Sequence, residues 1–421
     1  MVTVLTHQLQ PGAILAEEVR DVSGRLLLAK GKKVKPQHLR IFKTWGIIEV
    51  HVVGESKAAR HDDAPDIDAQ TLARVQEEIA GLFTYTDLNH PALAEIYRLA
   101  AQFRSHHQID SKPNPWVCPN HADEPVKCSK QEIMPRLTRR DILLPEIPNI
   151  VFELNEVIAD PLSSANDIAR VVNRSPSLTA VLLKIVNSSF YGFPSRIDKV
   201  SLAVTLIGTR EISSLALGIS ILATFKKIPK EFLDMYAFLK HSLACGIVSR
   251  ILAAHKNLPQ TEQLFVSGLL HDLGRLVMYI HFPKEARHLL ARCNQSDKLL
   301  YQEERDFLGC DHSEIGRQLM KQWKLPLTLE NNVFYHHKPS AAQFPETAAI
   351  VHLADVLINA LGIGSSGERF VPPLDAAAWE LLQLSPSCFE LILKQATHQF
   401  FALESILDNR EHGPGAAFST N

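Results

Sequence analysis

The sequence predicts a mainly α-helical protein that begins with a small β-rich module. From Leu144 to about Leu407, apolar residues recur at three- and four-residue intervals between short polar or proline-bearing breaks. No part of this long region alternates at period two, so we expect it to be all-helical. Before residue 54, turn signals such as Pro11-Gly12 separate short aliphatic runs, which is typical of strands.

The same patterns divide the chain into segments. In the first segment we expect a strand at Leu26–Leu28, a helix from Gln37 to Trp45 and a strand from Ile47 to Val53. In the second segment, Pro91 suits the first turn of a helix. We predict, in chain order, a β-rich module at 1–54, a helical hairpin connector at 66–110, a linker at 111–140, a helical domain at 144–407 and a tail at 408–421.

Composition narrows the class of protein. The formal charge of −2 and the pI near 6.8 give no electrostatic footprint for nucleic acid. Met1 to Gln10 has no basic region followed by an apolar run, so we expect no signal peptide. The longest apolar stretch, Leu215 to Phe225, is too short to span a bilayer. We therefore expect a cytoplasmic protein with reduced thiols and no membrane insertion.

The cysteines fall into two groups. Cys118-x-x-His121 followed by Cys128 could be part of a zinc site, but no fourth ligand is evident, so a flexible linker with incidental thiols is the preferred interpretation. The other four are scattered through helical patterns, where a free buried thiol is the usual state: Cys245, Cys293, Cys310 and Cys388.

His271 and Asp272 interrupt the apolar face of a predicted helix that runs from Glu262 to Tyr279. An unpaired carboxylate in an apolar setting costs several kcal/mol or more, so Asp272 needs a partner. A metal ion is one such partner, since imidazole and carboxylate groups both bind divalent cations. A buried hydrogen bond between the two side chains is the alternative, and for an isolated pair it is the better one.

Further histidines and a carboxylate lie on separate predicted helices, and such a distribution favours a common site over packed single histidines. They are His241, His312 next to the N-cap Asp311, the pair His336 and His337 at a helix end, and His352 and Asp355, which are neighbours on one helix face. Asn187 and Tyr191 are interpreted as a helix C-terminus followed by a packed aromatic ring.

Several stretches resemble known families. The string GLLHDLGRL closely resembles the signature of the HD superfamily of metal-dependent phosphohydrolases and their non-catalytic relatives. Over roughly 144–360, LPEIPNIVFELNEVIADP, NDIARVVNRSPSLTAVLLKIVNSSFYG, SRIDKVSLAVTLIGTREISSLAL and WKLPLTLENNVFYHHKP resemble the HDOD family, an all-helical output module of bacterial signalling proteins. This implies an HD-like core at about 232–361. LQPGAILAEEVRDVSGRLLLAKGKKV resembles a small domain often found ahead of HD-GYP modules.

The HD resemblance implies a metal site and its ligands. By this likeness, a divalent metal such as iron, manganese, nickel or zinc is held by His241, His271, Asp272 and Asp355. His312, His336 and His337 match the extra histidines of HD-GYP-like enzymes, in which the equivalent of Asp272 bridges two metals. We expect the first four side chains to converge within about 5 Å, and the three extra histidines to lie on the rim of the same cavity.

In an enzyme of this kind, the metal acidifies a water molecule that attacks a phosphate ester, and Asp272 and Arg275 would be the candidate catalytic residues. Two departures argue against catalysis here. Arg275 stands where these enzymes commonly have lysine, and Lys338-Pro339-Ser340 replaces the Gly-Tyr-Pro run after His337. The HDOD family is also usually regarded as non-enzymatic.

We therefore predict a regulatory module that binds signalling proteins in trans and whose metal site does not catalyse a reaction. One alternative is a metal-dependent phosphohydrolase that acts on a nucleotide or a cyclic dinucleotide. The other alternative is a structural scaffold that contains a metal-free histidine cluster. No contact with nucleic acid is expected.

Overall fold

The computed structural model describes residues 2–6, 9–20, 26–44, 47, 49–53, 69–109, 133, 135, 149–160, 162–188, 191, 193, 195–225, 228–229, 231–293 and 296–407. Cys118, His121 and Cys128 lie outside these residues, as do nearly all of the predicted linker and the whole predicted tail. The described chain is dominated by helices, which confirms the predicted fold class.

The N-terminal residues form two short antiparallel strand pairs and one helix. Strand β1 (Val2–Leu5) pairs with β4 (Glu49–Val52), and β2 (Val19–Arg20) pairs with β3 (Leu26–Leu28). Helix α1 (Pro36–Thr44) precedes β4. A small hydrophobic cluster of its own holds these elements together, with Val4, Leu15, Val34, Phe42, Val50 and Val52 among its members. The sequence did not predict β1, because four residues are too few for alternation to stand out.

The connector consists of helix α2 (Ala69–Ala80), a 3₁₀ turn (Gly81–Phe83) and helix α3 (Pro91–His107). Pro91 occupies the first turn of α3, and the His90 side chain caps this helix by accepting a hydrogen bond from the Ala92 N–H. The buried apolar side chains of the connector belong to the same hydrophobic core as the long helical region. The connector is therefore packed against that region.

Among the described residues, the long helical region begins with α4 (Asn149–Ala159), α5 (Ala165–Asn173), α6 (Pro176–Val186), α7 (Val200–Ile207) and α8 (Thr209–Ala223). A Ser164–Asp167 capping box starts α5, and Ser175 caps α6. Asn187 ends α6 and bonds to the backbone of Leu183 and Ile197, while Tyr191 is buried. These two residues have the structural roles that the sequence indicated.

Ten helices follow: α9 (Met235–His255), α10 (Thr261–Leu270), α11 (Leu273–His281), α12 (Pro283–Cys293), α13 (Leu300–Leu308), α14 (His312–Gln322), α15 (Leu327–Tyr335), α16 (Pro345–Leu361), α17 (Ala376–Leu382) and α18 (Cys388–Leu407). Helix α9 is central, because it packs against α10, α16 and α18. Asp311 caps α14 by accepting the Glu314 N–H, as predicted.

The prediction of one continuous helix from Glu262 to Tyr279 is wrong. Helix α10 ends at Leu270, and α11 begins at Leu273, so His271 and Asp272 lie at the junction. Beyond the break, Gly274 packs so closely on α14 that a Cβ atom there would collide with the His312 carbonyl oxygen. This close contact lies at the start of α11, and it joins residues too distant in sequence for periodicity to detect.

Among the described residues, α9 is the helix that is long and apolar enough to cross a membrane by length and composition alone. However, 72% of its apolar window is buried inside the protein. A core helix that is surrounded by other helices is apolar on all its faces and passes the same test.

Candidate metal centre

Four side chains that the sequence assigned to one site converge in the interior. His241 comes from α9, His271 and Asp272 from the α10–α11 junction, and Asp355 from α16. Asp355 Oδ1 lies 3.2 Å from His241 Nε2 and 3.4 Å from His271 Nε2. His271 Nε2 lies 3.1 Å from Asp272 Oδ2. These four residues are at most 4% exposed, so the helices bring the donor atoms together away from water.

The three extra histidines form a second group beside the first. His312 Nε2 lies 3.3 Å from His336 Nε2 and 3.1 Å from His337 Nε2. Asp272 joins the groups, because its Oδ1 is 2.9 Å from His312 Nε2 while its Oδ2 faces His271. The expected position on a rim is wrong for His312 and His336, which are fully buried within the cluster, while His337 is half-buried.

Protein oxygens orient several of these rings. In three of the histidines, the Nδ1–H donates to an oxygen: His271 to Gly268 O (2.8 Å), His336 to Val333 O (2.7 Å) and His312 to Glu304 Oε2 (2.6 Å). Such bonds fix the tautomer that presents an Nε2 lone pair to a metal. Asp355 is held by the Asn359 side-chain amide, at 2.7 Å from Oδ1.

The donor set fits a divalent cation. Among the described residues, the buried His271 Nε2 makes no hydrogen bond, although carboxylate oxygens surround it. The Nε2 atoms of His312 and His336 face each other with their Nδ1 protons directed elsewhere. Lone pairs that face lone pairs require a proton or a metal ion between them. Imidazole and carboxylate ligands suit iron, manganese, nickel or zinc.

The charges of the cluster shift the pKa values of its members. Burial opposes ionisation, yet Arg275 and His271 hold the pKa of Asp272, and the neighbouring His241 and His271 hold the pKa of Asp355, well below the ordinary value. Although burial opposes protonation, the two carboxylates raise the pKa of His271 to about 10. Burial and the neighbouring His271 and His312 lower the pKa of His336 to about 3. The two carboxylates therefore favour positive charge beside them, whether a proton or a metal ion supplies it.

Arg275 is buried next to Asp272, and protein groups bind its Nε and Nη1 atoms. Its Nη1 lies 3.2 Å from Asp272 Oδ2 and donates to the Ser366 Oγ at 2.6 Å, while its Nε donates to Glu304 Oε1 at 3.3 Å. The same Glu304 carboxylate receives the His312 Nδ1–H. Arg275 thus joins Asp272 to the group that orients His312.

An irregular segment, residues 362–374, links α16 to α17 and lies against the cluster. Ser365 N donates to the Ala237 carbonyl of α9 at 3.0 Å. At Gly364, which has φ +67°, a Cβ atom would collide with Ala237 O and His241 N. Ser366, from this segment, is the residue that holds Arg275. The segment therefore covers the first histidine of the site.

His352 is not part of the cluster's donor set. Its Nδ1–H donates to the His336 carbonyl at 2.7 Å, and its Nε2 accepts the Asp375 N–H at 3.0 Å. Both ring nitrogens are thus used for structure, and this histidine anchors the turn after α15.

Sequence reasoning missed three residues of the site: Cys245, Glu304 and Ser366. Cys245 lies one helical turn after His241, with its Sγ 3.5 Å from His241 Nε2, and this i, i+4 spacing is a signal that could have identified it. Glu304 and Ser366 carry no local signal, because their contacts join distant parts of the chain. The predicted free buried state holds for Cys245, Cys293 and Cys310, while Cys388 is half-buried.

Comparisons with known proteins agree with this architecture. The family model of the HDOD domain matches residues 144–339. An uncharacterized protein from Treponema pallidum (strain Nichols) is 25% identical over 198 residues, which is 46% of this chain but 37% of that protein. The chain thus covers well under half of this curated relative.

Solved structures share the fold. An HDOD domain protein with unknown function from Geobacter sulfurreducens is 22% identical, with a TM-score of 0.54 over 66% of this chain and 99% of the other. A candidate phosphohydrolase from Shewanella amazonensis SB2B is 20% identical, with a TM-score of 0.52 over 65% and 97%. A candidate signal transduction protein from Marinobacter aquaeolei VT8 is 21% identical, with a TM-score of 0.50 over 73% of each chain. The HDOD family model thus matches residues 144–339 of the chain, and these solved structures agree with that match in fold.

Proposed function

We propose that this protein is a regulatory module of bacterial signal transduction that acts through contacts with other signalling proteins. In this proposal a divalent metal in the histidine and carboxylate cluster braces the HDOD domain and does not catalyse a reaction. His241, His271, Asp272 and Asp355 would hold one metal, and His312, His336 and His337 with Asp272 would hold a second. The bound charge would tie α9, α14, α16 and the α10–α11 junction together.

The burial of the site and the contacts of Arg275 carry the proposal. A catalytic metal keeps one coordination position open to a pocket for water or substrate. Here six of the seven proposed ligand side chains are buried, and His337, the remaining one, stacks on the Tyr301 ring at 4.1 Å. The Arg275 guanidinium, which a phosphohydrolase would direct to phosphate, is bonded to Asp272, Glu304 and Ser366. This closed arrangement favours a brace.

A second observation supports the regulatory part of the proposal. The connector bonds to both ends of the segment that covers the site. Arg104 of α3 donates to the Ala360 carbonyl at 2.9 Å, just before the segment, and Val371 N donates to the Leu82 carbonyl at 2.7 Å, near its end. A signal that moves the connector would therefore act directly on the cover of the metal centre. The fold shared with the Marinobacter protein is in keeping with this role.

Metal content is the first test. We expect full-length protein purified without chelators to contain at least one equivalent of a transition metal by elemental analysis. Removal of that metal should lower the melting temperature, because a ligand that binds only the folded state stabilises it by RT ln(1 + [L]/Kd). Protein that carries no metal, and whose melting temperature does not respond to added zinc, iron or manganese, would support the metal-free scaffold instead.

A metal-dependent phosphohydrolase is the second candidate function. It is favoured by the position of Asp272, whose two oxygens face the two histidine groups as a bridging carboxylate would. The test is hydrolysis of cyclic di-GMP and of a generic phosphodiester by wild-type protein supplied with manganese, iron or nickel. We expect no turnover. Turnover by the wild type that is lost in Asp272→Asn, at an equal folded fraction, would show that the site is catalytic and would contradict the proposed brace.

A further inference from the structure

Cys245 lies among the donors of the first metal group. It is fully buried on α9, and its Sγ is 3.5 Å from His241 Nε2. One donor atom from each of four residues lies within 4.8 Å of every other: His241, Cys245, His271 and Asp355. The buried Nε2 of His271 belongs to the same group and makes no hydrogen bond, although carboxylate oxygens lie 3.1 and 3.4 Å away, so it is free to donate its lone pair to a cation.

Three distances within this group match the edges of a tetrahedral site, and all of its donor atoms lie within 4.8 Å of one another. Metal–nitrogen and metal–oxygen bonds of about 2.0 Å place neighbouring ligand atoms roughly 3.3 Å apart, and a metal–sulfur bond of about 2.3 Å places sulfur roughly 3.5 Å from nitrogen. Asp355 Oδ1 is 3.2 and 3.4 Å from the two histidine nitrogens. The separation of Cys245 Sγ from His241 Nε2 is 3.5 Å. The sulfur is therefore at the distance from His241 Nε2 that two ligands of one metal ion would have, and it is the fourth donor of the group.

Asp272 fits this first group less well than Cys245 does. Its Oδ2 is 3.8 Å from His241 Nε2 and is already paired with Arg275, while its Oδ1 lies 2.9 Å from His312. A site of two neutral histidines, a thiolate and one carboxylate would also balance the two positive charges of a metal ion. Neutral overall charge matters here, because an uncompensated buried charge is strongly destabilising.

We propose that Cys245 is a metal ligand, and that the first site is a two-histidine, cysteine and carboxylate site for a cation that accepts thiolate. The metal class is then zinc, cobalt or ferrous iron rather than magnesium or manganese, which prefer oxygen ligands. Binding forms the metal–sulfur bond and releases the thiol proton to solvent, with no change of oxidation state. This proposal rests on the proposed metal brace and names the metal that the brace selects. It puts Cys245 in place of Asp272 among the ligands of the first metal and leaves Asp272 with the second group.

The competing role for Cys245 is structural. Its Sγ is also 4.0 Å from the Ala354 carbonyl oxygen, so the thiol could be a weak hydrogen-bond donor within the core. In that role its sulfur would make no bond to a metal that binds nearby. Spectroscopy that detects a metal–sulfur bond separates the two roles.

The test is a titration of metal-free, full-length protein with Co²⁺, followed by absorption. We expect visible bands of a four-coordinate ion together with a near-ultraviolet thiolate-to-cobalt charge-transfer band. Cys245→Ser should keep visible bands and lose the charge-transfer band. Two controls should retain it: Cys293→Ser, a buried thiol elsewhere in the core, and the double variant Cys118→Ser/Cys128→Ser, which removes the other candidate thiols.

The outcomes separate this inference from the proposed function. Visible bands without charge transfer in the wild type would overturn the cysteine ligand and leave the metal brace standing. If the wild type binds no cobalt, both the cysteine ligand and the metal brace are overturned. A charge-transfer band that persists in Cys245→Ser and is lost in the double variant would show that the sulfur ligand is Cys118 or Cys128, and would overturn the proposal. If Cys245→Ser does not fold, X-ray absorption of zinc-loaded wild type decides, since sulfur lies at about 2.3 Å and nitrogen at about 2.0 Å from zinc.

Discussion

Arg275 and Asp272, three residues apart in sequence, form an ion pair in the interior of the HDOD domain, with Nη1 3.2 Å from Oδ2. Both side chains are almost completely buried. Arg275 also pairs with Glu304, so one cation serves two buried carboxylates. Coulombic attraction to both keeps its pKa above the ordinary value although burial acts in the opposite direction. The protein has therefore placed a permanent cation next to a candidate metal ligand.

Replacement of this arginine by methionine should be strongly destabilising. Arg275→Met leaves Asp272 and Glu304 as buried carboxylates without their cation, and removal of one partner from a buried pair typically costs about 3–5 kcal/mol. Zinc should restore part of this loss, because a bound metal compensates the Asp272 charge. The measurement is the free energy of unfolding in urea, with and without zinc.

Arg287→Met is the matched control for this variant. Arg287 pairs with Glu231 at 2.7 Å, but both side chains are more than 30% exposed, so its loss should cost no more than about 1 kcal/mol and should not respond to zinc. Equal losses in the two variants would mean that the interior pair has no special role.

Asp272→Asn separates a brace from a catalyst. Asparagine keeps the shape of the side chain and removes its charge, so metal affinity and melting temperature should fall while partner binding persists below the new melting temperature. When the free metal concentration is one hundred times Kd, metal binding adds about 2.7 kcal/mol to the free energy of unfolding, and this is the most that the variant can lose through metal binding. Thermal unfolding with and without chelator measures it. Asp306→Asn, at an exposed position, is the control, and an unchanged response to chelator in Asp272→Asn would exclude Asp272 as a ligand.

Gly364→Ala should weaken the cover of the metal centre. Gly364 and Gly31 have similar positive φ angles, +67° and +76°, so alanine is strained by about 1–2 kcal/mol at either position. Only at Gly364 would the new methyl group meet neighbouring backbone; around Gly31 nothing lies within 4 Å. We therefore expect Gly364→Ala to cost more stability than Gly31→Ala and to release metal faster to a chelator. Equal release rates would show that the segment does not retain the metal.

The residues of the site were predictable from the sequence to different degrees. Helix α14 and its cap could be predicted because Asp311 acts on its own first turn through a local hydrogen bond. The residues that resembled the HD set do lie together, with Asp355 from α16 beside His241 from α9. Resemblance supplied that grouping, since periodicity cannot place one helix against another.

The remaining features depend on contacts between distant residues. Ser366 bonds to Arg275 across 91 positions, and its identity in an irregular segment carries no periodic signal. Likewise, the break between α10 and α11 lies just before Gly274, whose close approach to His312 joins distant residues, although the apolar pattern continues through the break. The extra histidines were expected on the rim of the cavity, but His336 is buried, and its carbonyl oxygen accepts the Nδ1–H of His352 from α16.

His352 should make the stability of the domain depend on pH. Burial holds the pKa of His352 below its ordinary value of 6.5, and both of its ring nitrogens are used in the neutral form. The folded state therefore binds fewer protons than the unfolded state below that pH. Stability from this residue is present above about pH 6.5 and is lost as the pH falls, by at most about 1.4 kcal/mol per pH unit.

The variant that isolates this contribution is His352→Gln, which carries no titrating group. We expect it to be less stable than wild type at pH 7.5 because the bonds to His336 and Asp375 are disturbed, and to lose less stability on acidification. Thermal unfolding between pH 7.5 and 5 gives the slope of stability against pH for wild type and for His352→Gln. A chelator is present so that metal binding does not contribute to either slope. His106→Gln, at an exposed position on α3, should keep the wild-type slope. If His352→Gln also keeps it, the acid sensitivity arises from other groups, and His352 accepts its proton in the folded state without loss of its bonds.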